Sequence, residues 1–326
     1  MEMDINRPVF CITGASGYIG KQLVRALVER GEVLIRTLSR NRDTTNSVHP
    51  DVSVIQGDLR KPETLASFLV PGCTVINLAY GFGASSSENL MAAKNLAWAC
   101  RENLVKRLVH CSTVSVFGRV RDNVVNERSS CNPRTEYGVT KLLIEQILYA
   151  GSHGYYEYVN LRPTGVFGPG GAAMAGLIAS LRKGSRILNY MRSSLFGNRK
   201  MNLVNLDTVT SAIIFLAMSD QKKVDGETFI ISADDEPDNN FQYVENYLLN
   251  RLNIKDYLLP RIAVPSTLLS FILRVRGRDS DNPGRIFDPS KIRNTGFRNE
   301  MSLEDGLAKL VKWHLRKETS DPREGM

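Results

Sequence analysis

Tyr137 and Lys141 stand four positions apart, a spacing that puts both side chains on one face of a helix, one turn from each other. An ammonium beside a phenol favours the phenolate, which eases proton transfer to or from a substrate hydroxyl and suits the tyrosine to general acid or base work. A third group could come from the stretch C-S-T-V-S-V-F-G, in which Thr113, or Ser112 in its place, offers a hydroxyl to orient a substrate oxygen. A second constellation stands near the start, where Gly14, Gly17 and Gly20 recur at a spacing of three. An apolar run, 9–12, precedes them, and an amphipathic repeat with Ile19, Leu23, Ala26 and Leu27 on one face follows as far as Gly31. This order reads as strand, glycine turn, helix. The first glycine permits the tight turn, the second lets backbone approach a pyrophosphate, the third lets helix and strand pack closely, and the helix N-terminus faces an anion. Each feature alone has a plainer reading: a tyrosine in the core beside a solvated lysine, turn residues at Thr113 and Ser115, or a glycine-shaped loop. The two constellations together, at this separation, favour chemistry on a bound dinucleotide.

The elements that must position these residues follow from apolar periodicity. Strands are predicted at 33–38, 52–55, 75–79, 107–112, 156–161, 203–207 and 228–231, and helices at 62–69, 89–103, 136–149 and 208–218. Strands alternating with helices of this length predict an α/β protein, a doubly wound parallel sheet of the Rossmann type. Residues 1–171 and 201–232 are expected to form the dinucleotide-binding domain. Residues 172–200 and 233–326 are left for a smaller, mainly helical substrate-binding lobe.

The chain has 326 residues and a formal net charge of +8, but its basic residues are scattered and do not interleave with aromatics. Nucleic acid is therefore not expected, and a phosphorylated small molecule is partner enough. Five widely spaced cysteines with no C-x-x-C pair point to reduced thiols, and four scattered histidines offer no metal site. The N-terminal residues do not read as a signal peptide, and the apolar stretch 262–273 is interrupted by Pro265 and too short to span a bilayer. A cytoplasmic protein with no membrane partner is the expectation.

The chain resembles an extended short-chain dehydrogenase/reductase, the superfamily of nucleotide-sugar epimerases, dehydratases and sugar reductases. The resemblance rests on T-G-A-S-G-Y-I-G from Thr13, G-D-L from Gly57, N-L-A from Asn77, S-T-V-S-V-F-G from Ser112, Y-G-V-T-K from Tyr137, L-R-P-T-G-V-F-G-P-G from Leu161 and L-V-N-L-D from Leu203, and extends into the C-terminal region. It implies that Gly14, Gly17, Tyr18, Ile19 and Gly20 line the pyrophosphate, Asp58 and Leu59 hold the adenine, and Ala79 and Tyr80 lie along the ribose and nicotinamide. It implies further that Pro163 and Val166 back the nicotinamide, that Thr113, Tyr137 and Lys141 are catalytic, and that Tyr137 and Lys141 also meet the cofactor. Many relatives dimerise through two helices matching 89–103 and 136–149, so a homodimer is the assembly implied.

After the second strand an acidic residue would favour NAD by pairing with the ribose hydroxyls. This chain has Ser39, Arg40, Asn41 and Arg42, which favour NADP over NAD because a guanidinium grips a 2′-phosphate. Val114 and Ser115 stand where relatives that dehydrate sugars carry Asp-Glu, leaving hydride transfer at a carbinol or ketone. The expected activity is an oxidoreductase, a nucleotide-sugar 4-keto reductase first. An NAD-dependent 4-epimerase, an enzyme like 3β-hydroxysteroid dehydrogenase or dihydroflavonol reductase, and a non-catalytic NADP-binding regulator are the alternatives.

Overall fold

The computed structural model describes residues 7–41, 49–120, 122–220, 222–262, 282–299 and 301–320. Its main sheet has seven strands: β1 (Val9–Thr13), β2 (Leu34–Ser39), β3 (Val52–Gln56), β4 (Thr74–Asn77), β5 (Arg107–Cys111), β7 (Glu157–Pro163) and β10 (Glu227–Ile231). They lie in the order β10-β7-β5-β4-β1-β2-β3, and the β1/β2, β1/β4, β2/β3, β4/β5 and β5/β7 pairings are all parallel. This is the expected doubly wound Rossmann sheet. The winding reverses between β1 and β4, and such a reversal opens a crevice at the carboxyl ends of the strands.

The chain divides into two compact units. The first comprises Met1–Val116, Pro133–Arg162 and Thr210–Phe229. Its helices α1 (Tyr18–Arg30), α2 (Ser86–Glu102) and α3 (Glu136–Ser152) start at Gly17, Ser85 and Thr135. Ser85 and Glu88 form a reciprocal capping box, and the Thr135 hydroxyl accepts from the Gly138 N–H at 3.1 Å. Buried Leu65, Phe68, Val75, Leu96, Leu108, Ile144 and Leu148 fill a core between sheet and helices. Arg107 is buried beneath it, donating to Glu157 and to the carbonyls of Leu216 and Ser219.

The second unit comprises Phe117–Asn132, Pro163–Val209 and Ile230–Met326. It contains β6 (Val124–Val125), β8 (Gly165–Phe167), β9 (Leu203–Asn205), β11 (Ile286–Phe287), α4 (Ala172–Lys183), α5 (Arg186–Phe196), α7 (Phe241–Arg251), α8 (Ser290–Asn294) and α9 (Leu303–Ser320), while α6 (Leu206–Met218) runs from one unit into the other. Its core packs Phe167, Met174, Ile178, Val244, Leu248 and Leu307. β8 and β9 pair with each other in a separate two-stranded sheet. One predicted element shrinks: of 62–69 only Pro62–Thr64 forms a helical turn, of the 3₁₀ kind, and Leu65, Phe68 and Leu69 then turn inward as core.

Gly20 lies inside α1, where alanine normally gains about 1 kcal/mol over glycine. Here a Cβ would fall on the Gly14 carbonyl oxygen and 2.7 Å from the Ala15 α-carbon. Gly20→Ala should therefore reverse the usual sign and lower stability by about 1–3 kcal/mol, read from the urea midpoint.

Candidate active site

The carboxyl end of β1 turns at Gly14, whose φ of 71° is open to glycine and strained for other residues. A Cβ there would stand 2.8 Å from Ala79 N and from the Leu78 carbonyl carbon, so the turn rests directly on the peptide that follows β4. Gly17 caps α1 with extended backbone and no side-chain bond, and the first turn, which includes half-buried Tyr18 and Ile19, has no acidic residue. A helix end without a side-chain cap or carboxylate, behind a turn with no room for a Cβ, fits a dinucleotide pyrophosphate.

Ser39 and exposed Arg40 follow at the end of β2, and the Ser39 carbonyl accepts from Gly57 N–H at 2.9 Å. Asp58 and Leu59 are thereby held beside them. The Asp58 carboxylate is gripped by Arg60, with Nη2 2.7 Å from Oδ2, which holds its pKa below the ordinary carboxylate value, and nearby Arg40 adds to that effect. Leu59 packs on the core, and its carbonyl accepts from Asn95. Arg42 lies outside the described residues.

A row of polar side chains crosses the sheet at this level. Thr13, Asn77, His110 and Asn160 are register partners on β1, β4, β5 and β7, and all are buried. Asn77 Oδ1 accepts from the Thr13 hydroxyl at 2.6 Å and from Ala79 N–H at 3.3 Å. Its amide nitrogen must then donate to His110 Nδ1, 3.1 Å away, which leaves the imidazole proton on Nε2. Burial, reinforced by the nearby Lys141 charge, depresses the His110 pKa well below 6.5.

Thr113 and Tyr137 come together at the end of β5, where the Thr113 hydroxyl favours the Tyr137 phenolate and itself donates to Ser115 Oγ at 3.2 Å. The Thr113 oxygen also accepts from Ser115 N–H at 3.2 Å. Ser112, the alternative hydroxyl, is buried, and its backbone N–H donates to the Leu161 carbonyl at 2.7 Å. Gly138 lets α3 approach closely, since a Cβ there would stand 2.7 Å from the Ser115 carbonyl oxygen. One turn along α3, the Lys141 ammonium is buried and donates to the Cys111 carbonyl at 2.7 Å. The expected dominance of Lys141 over the phenol is not what this geometry produces. Burial pushes Tyr137 up to about 12, with the Cys111 thiol next in effect and the Thr113 hydroxyl only partly opposing. Burial likewise lowers Lys141.

Tyr80 follows Ala79 and stands edge-on to Tyr137 with ring centroids 5.0 Å apart. Phe82 stacks on Tyr137 at 5.8 Å and 20°, yet remains 84% exposed. Sequence reasoning passed over Phe82, His110 and Gly138. The flanking Gly81 and Gly83 could have flagged Phe82, whereas nothing local distinguishes a strand histidine. Pro163 closes β7, and Val166 of β8 pairs with Val204 of β9, both within the second unit. No group of three metal-ligating side chains occurs among the described residues.

Residues 10–232 match the NAD dependent epimerase/dehydratase family. Among curated proteins, the chain is 28% identical over 239 residues to a 2-alkyl-3-oxoalkanoate reductase of Stenotrophomonas maltophilia, covering 68% of this chain and 69% of that protein. It is 27% identical to the human short-chain dehydrogenase/reductase family 42E member 1, covering 92% of this chain and 82% of that one. Among solved structures, the Bordetella bronchiseptica enzyme WbmG in complex with NAD superposes with a TM-score of 0.72 at 19% identity, over 97% of this chain and 96% of that one.

His110 gives the site a pH signature. Its folded pKa lies below the unfolded value near 6.5, so the unfolded chain takes up the proton first as pH falls. Its contribution to stability is complete above about pH 6.5 and drains away below it, toward the folded pKa. His110→Gln keeps an acceptor for Asn77 and removes the titration. The variant should lose less stability than the wild type between about pH 6.5 and 5, measured as the shift in urea midpoint.

Proposed function

This chain belongs to the NAD dependent epimerase/dehydratase family, and we propose that within it the protein is an oxidoreductase that reduces a ketone to a carbinol, with Tyr137 as proton donor. The observation that carries the reading is the gathering of Thr113, Tyr137 and the buried Lys141 ammonium at the end of β5, in the same unit as the glycine turn. A phenol held near 12 is protonated at neutral pH, ready to give its proton to a carbonyl oxygen as that oxygen gains negative charge. Thr113 orients the same oxygen and supports the phenolate left behind. Lys141, one turn along and held on the Cys111 carbonyl, would meet the cofactor beside Tyr137. Gly14, Gly17, Tyr18, Ile19 and Gly20 would hold the cofactor pyrophosphate, Asp58 and Leu59 the adenine, and Ala79 and Tyr80 the nicotinamide end. The bound dinucleotide supplies the hydride.

NADP is the proposed cofactor, because Ser39 and exposed Arg40 end β2 where an acid would select NAD. For the substrate, the 4-ketone of a nucleotide sugar is one reading, with 4-epimerisation as its variant. It relies on cations to meet a diphosphate. Several basic residues of the second unit are engaged inside it: Arg186 with the Lys255 and Asp256 carbonyls, Arg192 with Ser180, and Lys200 with the Glu236 carbonyl. A second reading, a ketone with an apolar substituent, is favoured by exposed Phe82 stacked on the proton donor. The resemblance to a reductase of 2-alkyl-3-oxoalkanoates supports it. A homodimer remains the proposed assembly, since exposed Met91 and Trp98 of α2 and Val139 and Leu143 of α3 offer an apolar surface to a second copy.

Tyr137→Phe should reduce NADPH consumption with the accepted ketone by about 10²–10⁴-fold and leave the melting-temperature rise with NADPH nearly intact; retained turnover would overturn the mechanism. Screening 4-keto nucleotide sugars beside alkyl ketones in that assay separates the two substrate readings. At equal concentration NADPH should raise the melting temperature more than NADH does, and Arg40→Gln should erase most of the difference. A larger rise with NADH would refute the NADP assignment.

A further inference from the structure

Helix α5 is inverted relative to an ordinary surface helix. Its buried positions are polar, Asn189 and Ser193, while Ile187, Leu188 and Met191 face outward. The inner face is pinned by hydrogen bonds. Asn189 exchanges two with Ser180, at 2.7 and 2.6 Å. Ser193 bonds the buried carboxylate of Glu245 and accepts from Arg261 Nε at 2.6 Å. Rotating α5 to hide its apolar face would break the contacts that satisfy a buried carboxylate, a cost larger than the burial it would gain.

The segment that follows α7 extends the same surface. Arg186 donates to the Lys255 and Asp256 carbonyls, the Tyr190 hydroxyl to the Pro260 carbonyl at 2.9 Å, and Ile262 N–H to Ser194. These bonds bring Leu258, Leu259 and Ile262 beside α5, and all six apolar side chains are between 59% and 100% exposed. Contiguous exposure on this scale marks a surface that meets an apolar partner. Exposed Lys183 and Lys255 border it, and among the described residues the exposed acid beside it, Asp256, is paired with Arg261. Beyond Ile262 the sequence 263–273 carries no charge, and Arg274, Arg276 and Arg278 follow it.

We propose that this face of the second unit seats on the surface of an anionic phospholipid bilayer. The apolar side chains enter the boundary between headgroups and acyl chains, and the bordering cations meet phosphate and carboxylate headgroups. The expectation of no membrane partner rested on the lack of a spanning segment, and no helix among the described residues is long and apolar enough to cross a membrane. A surface contact needs none. The inference is independent of the proposed reaction, and its failure would leave that reading untouched.

The test is sedimentation of the full chain with phosphatidylcholine vesicles, with and without about 30 mol% phosphatidylserine. The wild type should pellet with the phosphatidylserine vesicles, and less at high salt or with phosphatidylcholine alone. The triple variant Ile187→Asn, Met191→Asn, Leu258→Asn should bind those vesicles at least about tenfold more weakly while its melting temperature stays unchanged. Three results would overturn the proposal: a wild type that stays in the supernatant, a variant that pellets as well as the wild type, or self-association by light scattering that the variant loses without any vesicle binding. The last would assign the face to a second copy of the chain.

Discussion

The close approach of Gly14 to the Leu78–Ala79 peptide is the constraint on which the site depends. A side chain at Gly14 would overlap that backbone, so the ends of β1 and β4 come together only because none is present. Once they do, the Leu78 N–H reaches the Thr13 carbonyl at 3.1 Å, and Asn77 can accept from Thr13 and Ala79 together. The same amide then donates to His110, carrying the tie to β5. Three strand ends are thereby fixed at the point where the winding of the sheet reverses. The glycine turn, the Ala79–Tyr80 loop and Thr113 extend from those three ends.

Burial, more than charge, sets the protonation states around Thr113. It raises the Tyr137 phenol, lowers the Lys141 ammonium, depresses the His110 imidazole and pushes the Cys111 thiol up to about 11. A buried phenol near a lysine is thus a loaded proton donor at neutral pH, which suits reduction better than it suits abstraction of a proton. The same burial keeps Cys111 a thiol, and a thiol is a poor nucleophile. In the proposed reaction the chemistry falls to hydroxyl groups.

Much of this was legible in the sequence because it depends on local pattern. Glycine spacing, apolar alternation and the four-residue interval from Tyr137 to Lys141 are features of a few neighbouring positions, and the sheet, the turn and α3 follow them. What was not legible depends on contacts between distant segments. The effect of Lys141 on Tyr137 was overestimated because a sequence gives proximity and no depth. The helical reading of 62–69 failed because its apolar residues serve a tertiary core better than a helix stripe. His110 gains its role from register with Asn77, thirty-three positions away. Helix α5 shows the same limit from the other side: its amphipathic pattern is evident, but only Glu245 on α7 determines which face turns inward.

Net charge gives a further case in which a total misleads. A charge of +8 invites an anionic substrate, yet many of the guanidinium groups have internal partners. Arg107 holds Glu157, Arg162 holds Glu145, Arg60 holds Asp58, Arg293 holds Asp235, and Arg285 donates to the Gly118 and Val120 carbonyls. A guanidinium whose donors are already satisfied by the fold has little to offer a ligand phosphate, and freeing it would leave buried acceptors unpaired. The charge that counts for recognition is the part left exposed, such as Arg40 at the end of β2, or Lys183 and Lys255 around the outward face of α5. On that measure the exposed positive charge lies at the end of β2, where the proposed cofactor's 2′-phosphate would sit, and at the border of an apolar surface. The aromatic wall beside Tyr137, built from Tyr80 and Phe82, carries no formal charge at neutral pH, and that difference tilts the proposed substrate toward an apolar ketone.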